Sequence, residues 1–335
     1  MATKHLSGLQ YLRFIAASLV VLFHANGAYL SLYDTQKTNY LSFGATGVQL
    51  FFVISGFVIY FSYSKRPIPV SEFAINRVSR IAPSYITLTV AAMIMLLLTH
   101  QTGNSAVSAS ALVPWFLSSL SFTSQIFGFP SPLLYQGWSL EYEMFFYLVF
   151  TVGIAAFKGR QRLIALSSTF VIVSACFIPG FALSAVGFAL GVGVAMLREK
   201  ARPSRVASLA IFLSSAACLF ALFMTTDWTK NPLLVTSSYA VIVYAISNLS
   251  VAAPGLGEAL GSASYPVYLL QWFTIPAIEK SWHFIHIDNS PIANALFLVA
   301  ALMATLTLGV AWDRFADRPI SKATKTFLRG LKLRN

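Results

Sequence analysis

The residues of this chain that could do chemistry are ionisable side chains placed inside strongly apolar runs. In the first such run, residues 9–29, Arg13 and His24 are eleven positions apart. A helix turns about 100° and rises about 1.5 Å per residue, so both side chains lie within roughly 20° of one face, about 16 Å apart along the axis. That face then carries a guanidinium group near one end and an imidazole, a potential general base, near the other. The alternative is that Arg13 extends to the lipid headgroups and His24 only binds a neighbouring helix.

Two carboxylates stand at the start of a later apolar run, in the sequence WSLEYE at 138–143. Glu141 and Glu143 would point about 160° apart on a helix, so they cannot serve one site, whereas Glu143 and Tyr147 share a face. If this helix begins at the outer membrane surface, Glu143 reaches the depth of His24, and the carboxylate and the imidazole can form an oriented basic pair. The alternative is a buried ion pair that only stabilises the bundle.

Two further candidates are an arginine pair and a buried amide. Arg77 and Arg80 are three residues apart, directly before Pro83, and on a helix they face the same way. Paired guanidinium groups suit bidentate binding of phosphate, although a basic flank is also typical of the cytoplasmic end of a membrane helix. Gln49 lies within another apolar run, 44–64, where it either orients a substrate or bridges two helices.

The composition decides what kind of element must position these side chains. Hydrophobic residues make up 57% of the 335 positions and charged residues only 10%, whereas soluble domains carry roughly 25% charge. This balance excludes a soluble protein and a disordered one, and two cysteines, both inside apolar runs, exclude a disulfide scaffold. We therefore predict an all-α fold, a polytopic bundle of membrane helices.

We predict about ten transmembrane helices, with the N-terminus and the C-terminus in the cytoplasm. A bilayer core of about 30 Å needs about 20 apolar residues per helix. The uncharged stretch 100–137 is interrupted by Pro114, Pro130 and Pro132, so we predict a re-entrant or interfacial segment there rather than a span. The predicted spans are 9–29, 44–64, 81–99, 138–157, 163–179, 181–197, 206–225, 233–253, 262–279 and 290–312.

The basic residues support this arrangement. The formal net charge is +12, and all but four of the 23 Lys and Arg residues fall on the cytoplasmic side of the predicted spans; the exceptions are Arg13, Lys37, Lys230 and Lys280. Such an asymmetry follows the positive-inside rule, so the charge reflects topology and predicts no nucleic-acid partner. Residues 1–320 are predicted to form one integral-membrane domain, and 321–335 a basic cytoplasmic tail that is either an interfacial helix or a solvated end.

Five segments of the chain, taken in sequence order, are the Arg13-to-His24 spacing, GVQLFFVISGF at 47–57, RVSRIAP at 77–83, WSLEYE at 138–143 and GSASYPVYL at 261–269. Together they resemble the acyltransferase family 3, the integral-membrane O-acyltransferases that modify surface and secreted glycans. The resemblance extends over nearly the whole chain and is strongest to bacterial exopolysaccharide-production acetyltransferases.

The resemblance implies transfer of an acyl group, usually acetyl from cytoplasmic acetyl-CoA, to a hydroxyl of an exopolysaccharide or other surface glycan at the bacterial inner membrane. It also implies that Arg13 and His24 are the functional pair of the first helix and that Glu143 is the acidic residue of the WSLEYE segment. The chain departs from the family at two positions, because the family often has an acid in place of Gln49 and a histidine in place of Gln271.

We therefore predict a donor site, a catalytic pair and a set of acceptor contacts. His24, polarised by Glu143, either removes the hydroxyl proton of the acceptor or carries the acyl group transiently. The CoA phosphates are predicted to bind Arg13, Arg77 and Arg80. The remaining substrate contacts are predicted at Gln49, Trp138, Tyr147 and Tyr265.

Other interpretations remain open on the sequence alone. His283 and His286 lack an evident third ligand, so no metal cofactor is predicted. The same polar residues could line the path of a transporter or flippase for a lipid-linked glycan, although the chain lacks the internal repeats common in transporters. A structural subunit of an export assembly is a third interpretation, and the sequence leaves the oligomeric state open.

Overall fold

The computed structural model describes residues 6–34, 39–98, 108–156, 181–225, 227–250 and 254–332 of the protein. Within these ranges every regular element is helical, which confirms the predicted all-α class. A 3-10 helix, Ser42–Thr46, precedes α2, and a π-helical turn, Asp313–Asp317, links α10 to α11. The α-helices are α1 (Ser7–Leu32), α2 (Gly47–Lys65), α3 (Val70–Leu98), α4 (Leu112–Leu120), α5 (Gly137–Ala156), α6 (Phe181–Lys200), α7 (Arg205–Thr225), α8 (Pro232–Ser247), α9 (Pro254–Phe284), α10 (Pro291–Trp312) and α11 (Arg318–Lys332).

Several of these helices are long and apolar enough to cross a bilayer. The predicted span 163–179 lies outside the described residues, and the total of about ten spans and the sides of the two termini stay predictions. Over the described ranges, the helical segments that meet both conditions are Ser7–Leu32, Ser42–Lys65, Val70–Leu98, Arg205–Thr225 and Pro291–Lys332, and Pro232–Ser247 is a shorter apolar helix.

The central helix of the bundle is α1, which packs against α2, α9 and α10. Gly261 of α9 meets Gln10 near the start of α1, and Gln271 of α9 contacts His24 near its other end, so the two helices run parallel. The contact is close because a Cβ atom at Gly261 would lie only 2.2 Å from the Gln10 side chain. Ala16 is also fully buried, so α1 presents small side chains to its neighbours. This packing fixes the face of α1 that carries His24.

A second close contact joins α2 to α6. A Cβ atom at Gly191 of α6 would stand 2.1 Å from the carbonyl oxygen of Val53 in α2. Only glycine allows the two backbones to approach so closely. Helix α8 packs against both members of the α2–α6 pair.

Helix α3 runs without interruption from Val70 to Leu98, through Pro83. The predicted span began at 81, but the helix starts eleven residues earlier, so Arg77 and Arg80 lie on a helix rather than in a connection. Proline removes one backbone hydrogen bond and usually ends or kinks a helix. Packing of α3 against α4, α5 and α11 outweighs this cost.

The described part of the uncharged stretch, 108–136, contains a short 3-10 helix, Ala109–Ala111, the nine-residue helix α4 and a series of turns. Nine residues are too few to cross a bilayer. The Glu141 carboxylate anchors these turns to α5, since it accepts hydrogen bonds from the backbone N–H groups of Ser124 (3.0 Å) and Gln125 (3.1 Å) and from the Ser124 hydroxyl. Glu141 therefore stabilises the fold and belongs to neither of the two cavities described below.

Replacing Glu141 with Gln is expected to lower the free energy of unfolding by about 2 kcal/mol, because hydrogen bonds to a charged acceptor are lost and an amide N–H group then faces a donor. The measurement is the melting temperature of the purified protein in detergent. Asp288→Asn is the matched control, since Asp288 is exposed and its substitution should change stability by less than about 0.5 kcal/mol. Equal melting temperatures for the two variants would contradict the anchoring role.

The last helix, α11, packs against α3 from the side of the C-terminus. Arg329 forms an ion pair with Glu72 in the first turn of α3. The predicted basic tail, 321–335, therefore begins inside a helix that starts at Arg318. None of the residues in the described part of the tail, 321–332, is buried, and Phe327 is 65% exposed. Contact with α11 helps to position the part of α3 that precedes Pro83.

Candidate active site

Arginine side chains from α1 and α3 meet in a cavity of about 510 Å³, here called the arginine cavity. In the described part of the chain, no carboxylate lies within 4.0 Å of any of these guanidinium groups. Cations outnumber carboxylates in this lining, and among the described residues Arg13, Arg77 and Arg80 have no carboxylate partner. The cavity therefore suits an anionic ligand. Its charged lining residues are Arg13, Lys65, Arg66, Arg77 and Arg80, with the carboxylates of Glu143 and Glu258.

Aromatic rings hold one of these arginines in place. The guanidinium group of Arg77 lies 5.2 Å from the ring centroid of Phe73 and 5.7 Å from that of Tyr147, which are favourable cation–π distances. Its Nε atom is buried and has no hydrogen-bond partner. A buried donor without a partner is costly, so a ligand with acceptor oxygens would stabilise the arrangement.

Glu143 lies in the arginine cavity, where two hydroxyl groups hold its carboxylate through hydrogen bonds. It accepts a hydrogen bond of 2.9 Å from the Ser55 hydroxyl of α2 and another from the Tyr147 hydroxyl, one turn further along α5. The shared face predicted for Glu143 and Tyr147 is thus present, and both side chains are directed toward Arg13 and its neighbours in this cavity.

His24 lines a different cavity, of about 770 Å³, here called the histidine cavity. Its Nδ1 atom lies 2.9 Å from Oε1 of Gln271, and its Nε2 atom makes no hydrogen bond with any described residue. The ring centroid of Tyr135 lies 6.2 Å from that of His24, with the rings edge to face. The buried Oε1 atom of Gln136 has no hydrogen-bond partner. Trp272 completes the aromatic lining. The imidazole nitrogen without a described partner, the unpartnered amide oxygen and the two aromatic rings together suit a ligand with hydroxyl groups.

The predicted pair of His24 and Glu143 is not formed. The two side chains bind different partners and line cavities that share no lining residue. Glu143 was predicted at the level of His24, but residues that precede α5 already occupy that level. Tyr135 and Gln136, just before α5, already lie beside His24, so Glu143 lies about 10 Å further along, at the level of Arg13.

Tyr268 lies between the two cavities. On α9 it stands between Gly261, which meets the arginine-cavity residue Gln10, and Gln271, which lines the histidine cavity. Its hydroxyl lies 2.8 Å from the Ser139 hydroxyl, and its ring packs edge to face on Phe51. Since the two cavities share no described lining residue, a passage from the arginines to His24 would have to open near this tyrosine.

The predicted substrate contacts divide into two groups. Tyr147 lies in the arginine cavity, whereas Gln49, Trp138 and Tyr265 line neither cavity. Gln49 accepts a hydrogen bond of 3.3 Å from Thr236 of α8, so it bridges helices, the alternative left open above. Trp138 packs on aromatic rings at the start of α5, and the Tyr265 hydroxyl donates to a backbone carbonyl of α3.

Several lining residues of the histidine cavity were not predicted. Tyr135 and Gln136 lie in the stretch 100–137, which contains no charge and no periodic pattern that would mark them. For Gln271 the sequence offered one indication of a functional position, since the family that this chain resembles often has a histidine there. Its contact with His24 explains why that position bears a polar side chain.

A sequence-family model, described as an acyltransferase domain, matches residues 6–312 of the chain. This range includes all the lining residues named above for both cavities. The chain belongs to the acyltransferase family 3. The predicted family is thereby confirmed, and this acyltransferase is a membrane-embedded enzyme whose two cavities lie within the matched domain.

Two relatives extend the comparison. The acyltransferase is 30% identical over 329 residues to the exopolysaccharide production protein ExoZ of Rhizobium meliloti (strain 1021), covering 90% of this chain and 94% of that protein. It is 24% identical over 372 residues to YrhL of Bacillus subtilis (strain 168), named as a candidate peptidoglycan O-acetyltransferase, covering 95% of this chain. The chain spans 55% of YrhL, about half its length. No solved structure matches the acyltransferase significantly.

Proposed function

We propose that this enzyme transfers an acyl group, acetyl in the simplest case, from cytoplasmic acyl-CoA to a hydroxyl of an exopolysaccharide or other surface glycan. One observation carries the proposal: a single unbroken helix, α1, has Arg13 in the arginine cavity and His24 in the histidine cavity, about 16 Å away along the axis. The enzyme works in the bacterial inner membrane as a bundle of about ten spans, with both termini and the arginine cavity on the cytoplasmic side.

The arginine cavity is the donor site. CoA carries a diphosphate and a ribose phosphate, and guanidinium groups bind such oxygens through paired, charge-assisted hydrogen bonds. Arg13, Arg77 and Arg80 converge on one space and have no carboxylate within ion-pair distance among the described residues. The Glu143 carboxylate, held by hydrogen bonds from Ser55 and Tyr147, stabilises the lining of this cavity and balances part of the positive charge of its arginines.

The histidine cavity is the acceptor site, and the transfer takes place at His24. Nε2 of His24 takes the proton from an acceptor hydroxyl while the hydroxyl oxygen attacks the thioester carbonyl carbon. A C–O bond forms, the C–S bond breaks, and the imidazolium returns its proton to the departing CoA thiolate. In the alternative route the same Nε2 lone pair attacks first and carries the acyl group to the hydroxyl.

The path between the two sites passes Tyr268. An extended pantetheine arm is long enough to connect phosphates bound at Arg13 with a thioester at His24. Transfer then requires the Tyr268 side chain to turn away from Ser139, opening the partition between the cavities. A small acyl group passes such an opening most easily, which supports acetyl as the group transferred.

The acceptor is proposed to be a glycan. Tyr135, 51% exposed, and Trp272 offer rings on which a sugar can pack, and the unpartnered Oε1 of Gln136 can accept a hydrogen bond from a sugar hydroxyl. The name of ExoZ points to exopolysaccharide, and that of YrhL to peptidoglycan. The lining of the cavity favours a hydroxylated ring without distinguishing the two polymers.

One assay tests the proposal against its competitors. Membranes containing the enzyme are incubated with acetyl-CoA labelled in the acetyl group and with exopolysaccharide or peptidoglycan as acceptor. Label in a glycan supports the transferase and identifies the acceptor. Movement of a lipid-linked glycan across the membrane without labelling would support the flippase, and neither result would favour a structural subunit.

A further inference from the structure

Gln271 forms a bridge between His24 and the backbone of α9. It is 1% exposed, and its side chain lies between two partners. Its Nε2 atom donates a hydrogen bond of 2.7 Å to the carbonyl oxygen of Tyr268, and its Oε1 atom lies 2.9 Å from Nδ1 of His24. Both ends of the amide are thus occupied.

The two contacts together determine where the proton of His24 resides. A backbone carbonyl only accepts hydrogen bonds, so the end of the amide facing Tyr268 must be the NH2 group. The end facing His24 is then the oxygen, which also only accepts, so Nδ1 of His24 must be the donor. A neutral imidazole that carries its proton on Nδ1 has its lone pair on Nε2.

We propose that Gln271 is a positioning residue that holds His24 in the Nδ1–H tautomer and leaves the Nε2 lone pair for the reaction. The inference rests on the proposed function, because both routes to the product use that lone pair. The amide does this without a charge of its own, so no ion is buried beside the imidazole. The hydrogen bond persists when Nε2 takes a proton, because Nδ1 remains a donor in both states of the ring.

The test separates orientation of His24 from ordinary packing. Gln271→Met keeps the size of the side chain and removes the accepting oxygen, so we expect kcat to fall about 100-fold while KM for acyl-CoA stays unchanged, since the donor cavity is untouched. Gln271→Glu restores an accepting oxygen at the same place and should bring kcat back to within about tenfold of the unaltered enzyme. If the Gln271→Met protein does not fold, Gln271→Asn replaces it in the test. The asparagine side chain is too short to reach both partners, so the same fall in kcat is expected.

The matched control is Thr274→Val, on the same helix as Gln271, which removes a buried hydrogen bond of 2.6 Å to Thr305 of α10. This variant should keep its kcat. A Gln271→Met enzyme with unchanged kcat would overturn the positioning role, as would a Gln271→Glu enzyme as slow as Gln271→Met or a Thr274→Val enzyme with the same loss. In each of these cases the unaltered enzyme still transfers acetyl, so the proposed function stands; an inactive unaltered enzyme overturns both.

Discussion

Membranes containing the His24→Ala enzyme are expected to transfer acetyl groups to glycan at least about 10³-fold more slowly than membranes with the unaltered enzyme. Removing the imidazole takes away the group that accepts the hydroxyl proton, and positioned general bases contribute about 10²- to 10⁴-fold to rates. The loss should appear in kcat. Binding of acyl-CoA at the arginine cavity should persist, because His24 lines the other cavity.

The matched control is His286→Asn. His286 lies in the exposed turn after α9 with a positive φ of 49°, a conformation that asparagine tolerates. It lines neither cavity, so full activity is expected. An active His24→Ala enzyme, present at normal level, would disprove the role of the imidazole. A single turnover quenched in acid also separates the two routes, since label on the protein that is absent from His24→Ala indicates an acyl-histidine.

The second large effect is expected at the donor site. Arg80→Ala should raise KM for acyl-CoA about 10- to 100-fold, because hydrogen bonds to charged groups contribute about 1.5–3 kcal/mol and each 1.4 kcal/mol is a factor of ten. The value of kcat at saturating donor should change little, since an interaction made equally in the ground state and the transition state affects KM alone. Steady-state kinetics with varied acetyl-CoA provide the measurement.

Two comparisons make the donor-site result specific. Arg205→Ala removes an exposed cation at the start of α7 that does not line the arginine cavity, and its KM should be unchanged. Arg80→Lys keeps the charge but loses bidentate geometry, so an intermediate KM is expected. If Arg80→Ala and Arg205→Ala have the same KM, the arginine cavity does not bind the donor.

Local periodicity was enough to place some residues together. The eleven-residue spacing of Arg13 and His24 on one helix, the three-residue spacing of Arg77 and Arg80 and the shared face of Glu143 and Tyr147 all follow from 3.6 residues per turn. Composition was enough for the helical membrane class, because a chain with so little charge cannot cover a water-facing surface. The family could be identified from five sequence segments alone, without any tertiary structure.

The relative depth of different helices could not be read from the sequence. Glu143 was predicted beside His24 on the assumption that its helix starts at the membrane surface, but the preceding turns bring Tyr135 and Gln136 to that level first. No charge marks where the chain enters or leaves the membrane in that stretch. Helix α3 passing through Pro83 is a similar case, since packing by its neighbours outweighs a local signal.

By itself the sequence determined the helical membrane class, the acyltransferase family and the faces on which Arg13, His24 and the arginine pair stand, because each of these depends on composition or on spacing within one helix. Only the tertiary structure decided that Glu143 belongs with the arginines and that Gln271 binds His24. The hydrogen bonds that hold these two side chains, from Ser55 to Glu143 and between His24 and Gln271, join residues 88 and 247 positions apart in the chain. They depend on how far one helix is shifted along another, which close backbone packing sets and no local pattern encodes.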